Sequence, residues 1–202
     1  LGVRLTSVTE LHSLVIKATL REKSVAKSQH LQGNIVHKFC ILAILRYVNE
    51  EKDLRLLFEY LAERLHEPDW AVGLKTFYLL HTLMLDSNRP AEYLQQDARW
   101  FDYAHMHNKP QQQHPRHVYV HLYSEYIRTV AIQYGGFYRL ELMDLDASRL
   151  QRQEQVEAML QVSGMILEAK IYLDDLGDEI IRQFYRALTM DLISLYPLIT
   201  KL

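Results

Sequence analysis

The sequence predicts an all-α fold, a stack of about eight antiparallel helices. Helix-breaking residues are few, because only seven glycines and five prolines occur among 202 residues. Apolar residues also recur at helical spacing in one segment after another, with short polar connections between the segments. Consecutive helices joined by short links pack antiparallel, and many in a row form a solenoid. No strict sequence period is visible, so we expect a divergent stack.

Three amphipathic patterns occupy the first 65 residues. Ser7 to Glu10 has the form of a capping box, which predicts that the first helix begins there and leaves Lys17 on its flank. The second helix is expected from about Lys27 to Tyr47 and the third from about Leu54. The predicted apolar stripes are Leu11, Leu14, Val15 and Ala18; Leu31, Ile35, Phe39 and Leu42; and Leu54, Leu57, Phe58, Leu61 and Leu65.

Asp69 is the predicted N-cap of a helix from 70 to 85 that is apolar almost all round, and therefore central to the core. Pro90 suits the first turn of a fifth helix that ends near 100–104. The sixth helix is expected before Gly135, and two more at about 148–173 and 178–195, the last limited by Pro197. Their predicted apolar faces are Tyr119, Leu122, Tyr123, Tyr126, Ile127 and Val130; Leu150, Val156, Met159, Leu160, Ile166 and Leu167; and Ile180, Ile181, Phe184, Leu188 and Leu192.

Charge is unevenly distributed along the chain. Residues 1–50 hold seven Lys/Arg against three acids, a net charge of +4, so the remainder holds −6 because the total is −2. This asymmetry directs the N-terminal end toward an acidic surface. Nucleic acid is a disfavoured partner, because the overall charge is negative and the aromatic residues stand at core spacing.

The connection between the first two helices carries the clearest chemical signal. Lys17 stands at the end of the first helical pattern, and Lys27 and His30 stand at the start of the second. Cationic side chains from two adjacent helix ends, beside the unpaired amides of a helix N-terminus, form an anion pocket suited to phosphate. We therefore expect these three residues to bind phosphate groups, and binding to strengthen at lower pH as His30 is protonated.

The same stretch resembles a known family. Lys17-Ala-Thr, six residues, an apolar position and then Lys27-x-x-His30 is similar to the phosphoinositide signature of the ANTH domain of CALM-type clathrin-assembly adaptors, in the ENTH/ANTH/VHS superfamily. Two positions differ, since Ala26 replaces the usual proline or other apolar residue and Gln29 replaces a lysine. The resemblance covers residues 5–140, and its further matches are 61–64, Trp70, Lys75, 80–84, 93–94 and 126–129.

The resemblance implies a single right-handed superhelical domain over 1–202. Because the family's domain usually continues further, a C-terminal truncation is left open. It also implies that Lys17, Lys27 and His30 hold the head group of phosphatidylinositol 4,5-bisphosphate, with Arg21 and Lys23 attracting anionic lipid. The implied role is a non-enzymatic, cofactor-free adaptor in clathrin-mediated endocytosis or vesicle budding. Its expected location is cytoplasmic, peripheral at the plasma membrane and at clathrin-coated pits and vesicles.

Two alternatives concern partners. The chain could be a helical adaptor that binds peptide or SNARE cargo through a later groove, with a lipid site weakened by Gln29. Leu142-Met143-Asp144-Leu145-Asp146 has the form of a clathrin box. Within a folded stack, however, an ordinary interhelical connection is the favoured interpretation of that pentapeptide.

Metal binding, catalysis and membrane insertion find less support. His117 and His121 are one helical turn apart, a spacing that can chelate zinc, yet no HExxH pattern or nearby cysteine accompanies them. No nucleophile, Walker or dinucleotide motif is present. The lone Cys40 lies in an apolar run and is expected to be buried. Residues 1–5 are too short for a membrane wedge, so we expect docking at the membrane surface.

Overall fold

A computed structural model describes residues 2–20, 39–102, 115–135, 149–168 and 172–200. These residues form α-helices and two short 3-10 helices and contain no strand, which confirms the predicted all-α class. The helices are α1 Gly2–Thr19, α2 39–44, α3 Glu51–Leu65, α4 Trp70–Asp86, α5 Arg89–Gln96, α6 His117–Tyr134, α7 Arg149–Glu168 and α8 Glu179–Thr200, and the 3-10 helices are Ala98–Phe101 and Leu173–Gly177.

The helix α4 lies at the centre of the stack, as its apolar sequence predicts. It contacts α1, α3, α5, α6 and α8, and 13 of its residues are buried, so solvent reaches only a narrow strip of it. Its start is fixed by Asp69, whose side chain accepts a hydrogen bond of 2.8 Å from the Ala71 amide. This is the N-cap that the sequence predicts, and it satisfies one of the orphan amides of the first turn.

Aromatic side chains join α3, α4 and the first 3-10 helix. Trp100 meets Phe58 and Phe77 edge-on, with ring centroids 5.5 and 6.1 Å apart. The Trp100 indole Nε1 donates to the Phe58 carbonyl at 3.2 Å, so its polar atom is satisfied inside the core. Edge-to-face contacts of this kind stabilise a pair by about 0.5–1.5 kcal/mol beyond burial alone.

Arg116, just before α6, connects the second 3-10 helix and the start of α8 to α4. Its guanidinium lies 2.9 Å from an Asp175 oxygen and 2.7 Å from an Asp178 oxygen, and 5.0 Å from the ring centroid of Trp70. The other Asp178 oxygen accepts from the Ile180 amide at 2.9 Å, which caps the start of α8. These acids therefore have a structural role that combines helix capping with an interhelical ion pair.

The predicted stripes of α1 and α3 are confirmed, but the predicted face of α2 is wrong in part. Phe39 is 67% exposed and Leu42 is 52% exposed. The buried residues here are instead Cys40, Ile41, Ile44 and Val48. Both faces of this segment are apolar, so hydrophobicity alone did not show which face its neighbours cover. Leu31 and Ile35 lie outside the described residues.

Several predicted helix ends also differ from the structure. The helix α1 begins at Gly2, upstream of the Ser7 capping box, because a capping sequence favours a start at its position without preventing the helix from extending further toward the N-terminus. The helix α5 ends at Gln96, and the 3-10 helix at 98–101 replaces the predicted continuation. Pro197 lies inside α8, which continues to Thr200, since one lost hydrogen bond near a helix end is tolerated.

Two predicted core residues of α7 are on the surface. Leu160 is 53% exposed and Leu167 is 73% exposed, whereas Val162 and Ile166 are buried. Gly135 has φ 69° at the end of α6, a left-handed conformation that glycine adopts without a steric cost. The sixth helix therefore ends at Gly135, where the sequence predicts its end.

Candidate functional site

The exposed cation of the predicted site lies where the sequence places it. Lys17 is in the last turn of α1 and is exposed, while Ala18 and Thr19 beside it are fully buried. A lysine in this position also interacts favourably with the negative end of the helix dipole. The end of α1 is thus packed on one side and presents an ammonium group to solvent on the other.

Two buried cations, Arg64 and Lys75, donate hydrogen bonds to the end of α1 on its packed side. We call this pair the α1 clamp. The Arg64 Nε donates to the Thr19 hydroxyl at 2.7 Å, and the Lys75 Nζ donates to the Leu20 carbonyl at 2.7 Å. Arg64 also pairs with Glu67, and the Thr19 hydroxyl donates to the Val15 carbonyl at 2.8 Å. Charged donors therefore satisfy acceptors at two successive positions of the helix end.

Arg64 and Lys75 are among the positions that match the family signature, but the sequence did not predict that they hold the end of α1. Both are almost fully buried, at 9% and 8% exposure. A lysine within the apolar run of α4 was the available signal, because a buried ammonium group requires a strong acceptor. The acceptors are 45 and 55 residues away along the chain, so no local pattern identifies them.

The contacts between α1 and the segment around α2 define their register. The Tyr47 side chain hydrogen-bonds Glu10, and Lys17 lies within electrostatic range of Cys40. Burial raises the pKa of the Cys40 thiol, and the Lys17 ammonium partly opposes that shift. The two segments therefore run antiparallel, with the C-terminal end of α1 toward the beginning of the described part of α2.

The remaining members of the predicted site lie outside the described residues. These are Lys27 and His30, the supporting Arg21 and Lys23, and Gln29 between them. The clathrin-box-like pentapeptide at 142–146 also lies outside them. The structure therefore describes one of the three predicted phosphate-binding side chains, and their convergence stays a prediction.

His117 is buried and His121 is half-buried, both in the first turns of α6. Among the ranges that the structure describes, no group of three or more His, Cys, Asp or Glu side chains is placed to hold a metal ion. None of the helices in those ranges is both long and apolar enough to cross a membrane.

A second polar cluster lies inside the stack, and we call it the core relay: His81, Tyr123, Tyr126 and Asp191. The Tyr123 hydroxyl is 2.6 Å from His81 Nδ1, and His81 Nε2 is 3.0 Å from an Asp191 oxygen. The same oxygen accepts from the Tyr126 hydroxyl at 2.6 Å. Burial, together with the Asp191 charge, raises the pKa of both tyrosines well above the usual value near 10.

An apolar groove of about 640 Å³ lies above the core relay, between α2, α4 and α8. Leu42, Leu85 and Met190 are each about half exposed in it, one from each helix. Arg186 and Asp86 contribute opposite charges to its lining. The complete lining is Ile41, Leu42, Leu45, Tyr78, His81, Thr82, Leu85, Asp86, Glu179, Gln183, Arg186, Ala187, Met190 and Asp191.

Fold and site together define a helical stack with a basic group exposed at one helix end and buried polar groups joined by internal hydrogen bonds. Comparison with protein families gives the class a name: the ANTH domain model matches residues 10–202, and the chain belongs to the ANTH family. ANTH domains are non-enzymatic, phosphoinositide-binding modules of endocytic adaptors. A search of curated proteins finds no match to this chain.

Proposed function

We propose that the chain docks on phosphoinositide-bearing membrane, as a CALM-type adaptor of clathrin-mediated endocytosis or vesicle budding. The observation that supports this most directly is the exposed Lys17 on a helix end held by two buried cations. In this proposal Lys17, Lys27 and His30 contact the phosphates of phosphatidylinositol 4,5-bisphosphate. The protein then acts at the cytoplasmic face of the plasma membrane, at clathrin-coated pits and vesicles.

The binding energy in this proposal is electrostatic. Each charge-assisted contact to a phosphate contributes roughly 1.5–3 kcal/mol, and Arg21 and Lys23 add about 1 kcal/mol each near an anionic leaflet. Gln29 supplies no charge where the family has a lysine, so the affinity is expected to be lower than that of a fully basic signature. The net charge of +4 in residues 1–50 favours approach of this end to the membrane.

The position of Lys27 relative to Lys17 sets a geometric condition on the proposal. A shared head group requires the ammonium groups of Lys17 and Lys27 to lie close enough to contact phosphates of the same inositol. Spin labels at positions 17 and 27, in a Cys40→Ser background, measure the separation of these two positions, and a separation too large for one inositol head group to span would contradict a shared head group.

Liposome sedimentation tests the proposal itself. At physiological salt, vesicles that contain phosphatidylinositol 4,5-bisphosphate should sediment the protein, and vesicles of phosphatidylcholine should not. The double variant Lys17→Glu with Lys27→Glu should bind at least about 100-fold more weakly, because two attractive contacts become repulsive.

The matched control is Lys52→Glu with Arg55→Glu, which makes the same change in net charge at the start of α3, the opposite end of that helix from Arg64. Both side chains are exposed, so the fold should tolerate the change. The control should bind vesicles as the parent does. Equal loss in both double variants would show a response to net charge alone and would contradict a specific site.

The apolar groove supports a second candidate function, binding of a helical segment such as that of a SNARE cargo. On α8, Gln183, Ala187 and Met190 recur at helical spacing along the groove, and on α4 Tyr78, Thr82 and Leu85 do the same. An amphipathic helix has the matching repeat, with an acid and a base placed to meet Arg186 and Asp86.

An amphipathic SNARE-derived peptide, followed by fluorescence anisotropy, tests this second candidate. Binding by the parent that is lost in Met190→Glu and kept in the Lys17→Glu, Lys27→Glu variant would support it. Binding of vesicles but no peptide would leave membrane docking as the function and would contradict the second candidate.

A further inference from the structure

We propose that Lys75, with Arg64, is a positioning residue of the phosphoinositide site, an inference that rests on the proposed function. Neither side chain reaches the surface, so neither is offered as a contact to lipid. Their role is to fix the point and direction at which the chain leaves α1. Every predicted phosphate-binding residue after Lys17 follows that point within ten residues.

Two hydrogen bonds hold successive residues at the end of α1. Arg64 holds Thr19, the last residue of α1, and Lys75 holds the carbonyl of Leu20, the next residue. The two cations come from different helices, α3 and α4. A helix end gripped at two successive residues from two directions has little freedom to fray or rotate.

Both donors that hold the end of α1 are cations. An uncharged cap would satisfy the same two acceptors, and burying an ammonium or guanidinium group is costly unless it is paired. Cations at a helix C-terminus complement its dipole. Arg64 is also paired with Glu67, so its contribution to the clamp is the directed hydrogen bond to Thr19, two residues after Lys17, rather than added net charge.

Positioning can be distinguished from simple stabilisation by comparing the clamp with the core relay. The clamp acts on the helix end from which the predicted lipid-binding stretch departs, whereas the core relay joins α4, α6 and α8 and includes no residue of α1. Loss of either should lower stability. Only loss of the clamp should change the exchange of amides after Thr19 and the affinity for the head group.

The test is Lys75→Met, which keeps the length and packing of the side chain and removes its charge, compared with Tyr126→Phe, which removes one hydrogen bond of the core relay. Two measurements are made below the melting temperature of both variants. These are affinity for vesicles containing phosphatidylinositol 4,5-bisphosphate and hydrogen exchange of amides 20–30. Lys75→Met should bind roughly tenfold more weakly and exchange faster in this segment, and Tyr126→Phe should match the parent in both.

Several outcomes would overturn the inference. Parent-like affinity and exchange in Lys75→Met would do so, as would an equal loss of affinity in Tyr126→Phe. If the parent binds no vesicles, the proposed function fails, and the exchange measurement alone then decides whether Lys75 positions the segment. Should Lys75→Met not fold, Thr19→Val replaces it, because this isosteric change removes the hydroxyl that accepts from Arg64 and should give the same two effects.

Discussion

The α1 clamp and the core relay are both buried clusters of ionisable groups, and they differ in what lies beside them. In the core relay, Asp191 accepts from Tyr126 and lies against His81, so its negative charge is surrounded by donors of the protein itself. In the α1 clamp, cations meet a hydroxyl and a backbone carbonyl at a helix end. The relay places donors around a buried carboxylate, whereas the clamp directs two buried donors at the helix end that carries the exposed Lys17.

Comparing the core relay with the α1 clamp separates buried polar groups that serve packing alone from those that adjoin a predicted binding site. A buried carboxylate ringed by tyrosines and a histidine is explained by the packing of three helices. The α1 clamp also ties helices together, but the two residues that it holds adjoin the exposed Lys17 at the end of α1. The three predictions below test this separation.

The largest effect on stability is expected from Asp191→Ala. This change removes the buried carboxylate that accepts from the Tyr126 hydroxyl and lies 3.0 Å from His81 Nε2, and the free energy of unfolding should fall by about 3 kcal/mol. Urea unfolding followed by circular dichroism measures it. Asp191→Asn keeps an acceptor oxygen and should lose less. A change within 1 kcal/mol for Asp191→Ala, or weaker vesicle binding by the folded variant, would remove the distinction between the clusters.

A smaller effect is expected at alkaline pH. Tyr123 and Tyr126 have pKa values raised by burial and by the Asp191 charge, so they stay protonated in the fold while the unfolded chain ionises near pH 10. Their contribution is therefore complete below about pH 10 and declines above it. The decline is about 1.4 kcal/mol per pH unit for each tyrosine.

Tyr126→Phe should remove one tyrosine's share of this slope, measured by urea unfolding from pH 8 to 11.5. Tyr185→Phe is the control, because Tyr185 is exposed in the fold as well as in the unfolded chain. An unchanged slope in Tyr126→Phe would mean that this phenol is not held protonated by its surroundings.

The smallest effect on stability is expected from Lys17→Met. Lys17 is exposed, and its favourable interaction with the dipole of α1 is less than about 1 kcal/mol. Vesicle binding should nevertheless weaken, whereas Lys75→Met should lower both stability and binding. The two variants should therefore agree in sedimentation, where both bind more weakly, and differ in unfolding, where only Lys75→Met loses stability. An equal loss of stability in both variants would contradict the assigned roles.

The sequence predicted the parts of the fold that depend on one dominant apolar face. The helices α3, α4 and α6 follow their apolar stripes, and Asp69 caps α4 as its position indicates. Predictions were wrong where a segment is apolar on more than one face, as at Phe39, Leu42 and Leu160. Which face is covered depends on neighbours distant in the chain, and local periodicity holds no information about them.

The candidate site shows the same limit. Exposure of Lys17 was predictable because it lies on the flank of the apolar stripe of α1, at the end of the helix. The role of Arg64 and Lys75 was not, because each acts on α1 from more than 40 residues away. The only local signal of their burial is a charged residue within an apolar run. This signal predicts that the cation is paired, but it does not identify the acceptor.

The position of α4 has a consequence for how the molecule opens. In most helical repeats each unit touches only its neighbours, so the ends can melt one after another. Here the single helix α4 contacts five other helices, which come from both halves of the chain. Breathing at either end is therefore resisted by the same central element, and the terminal helix pairs are expected to lose their structure together.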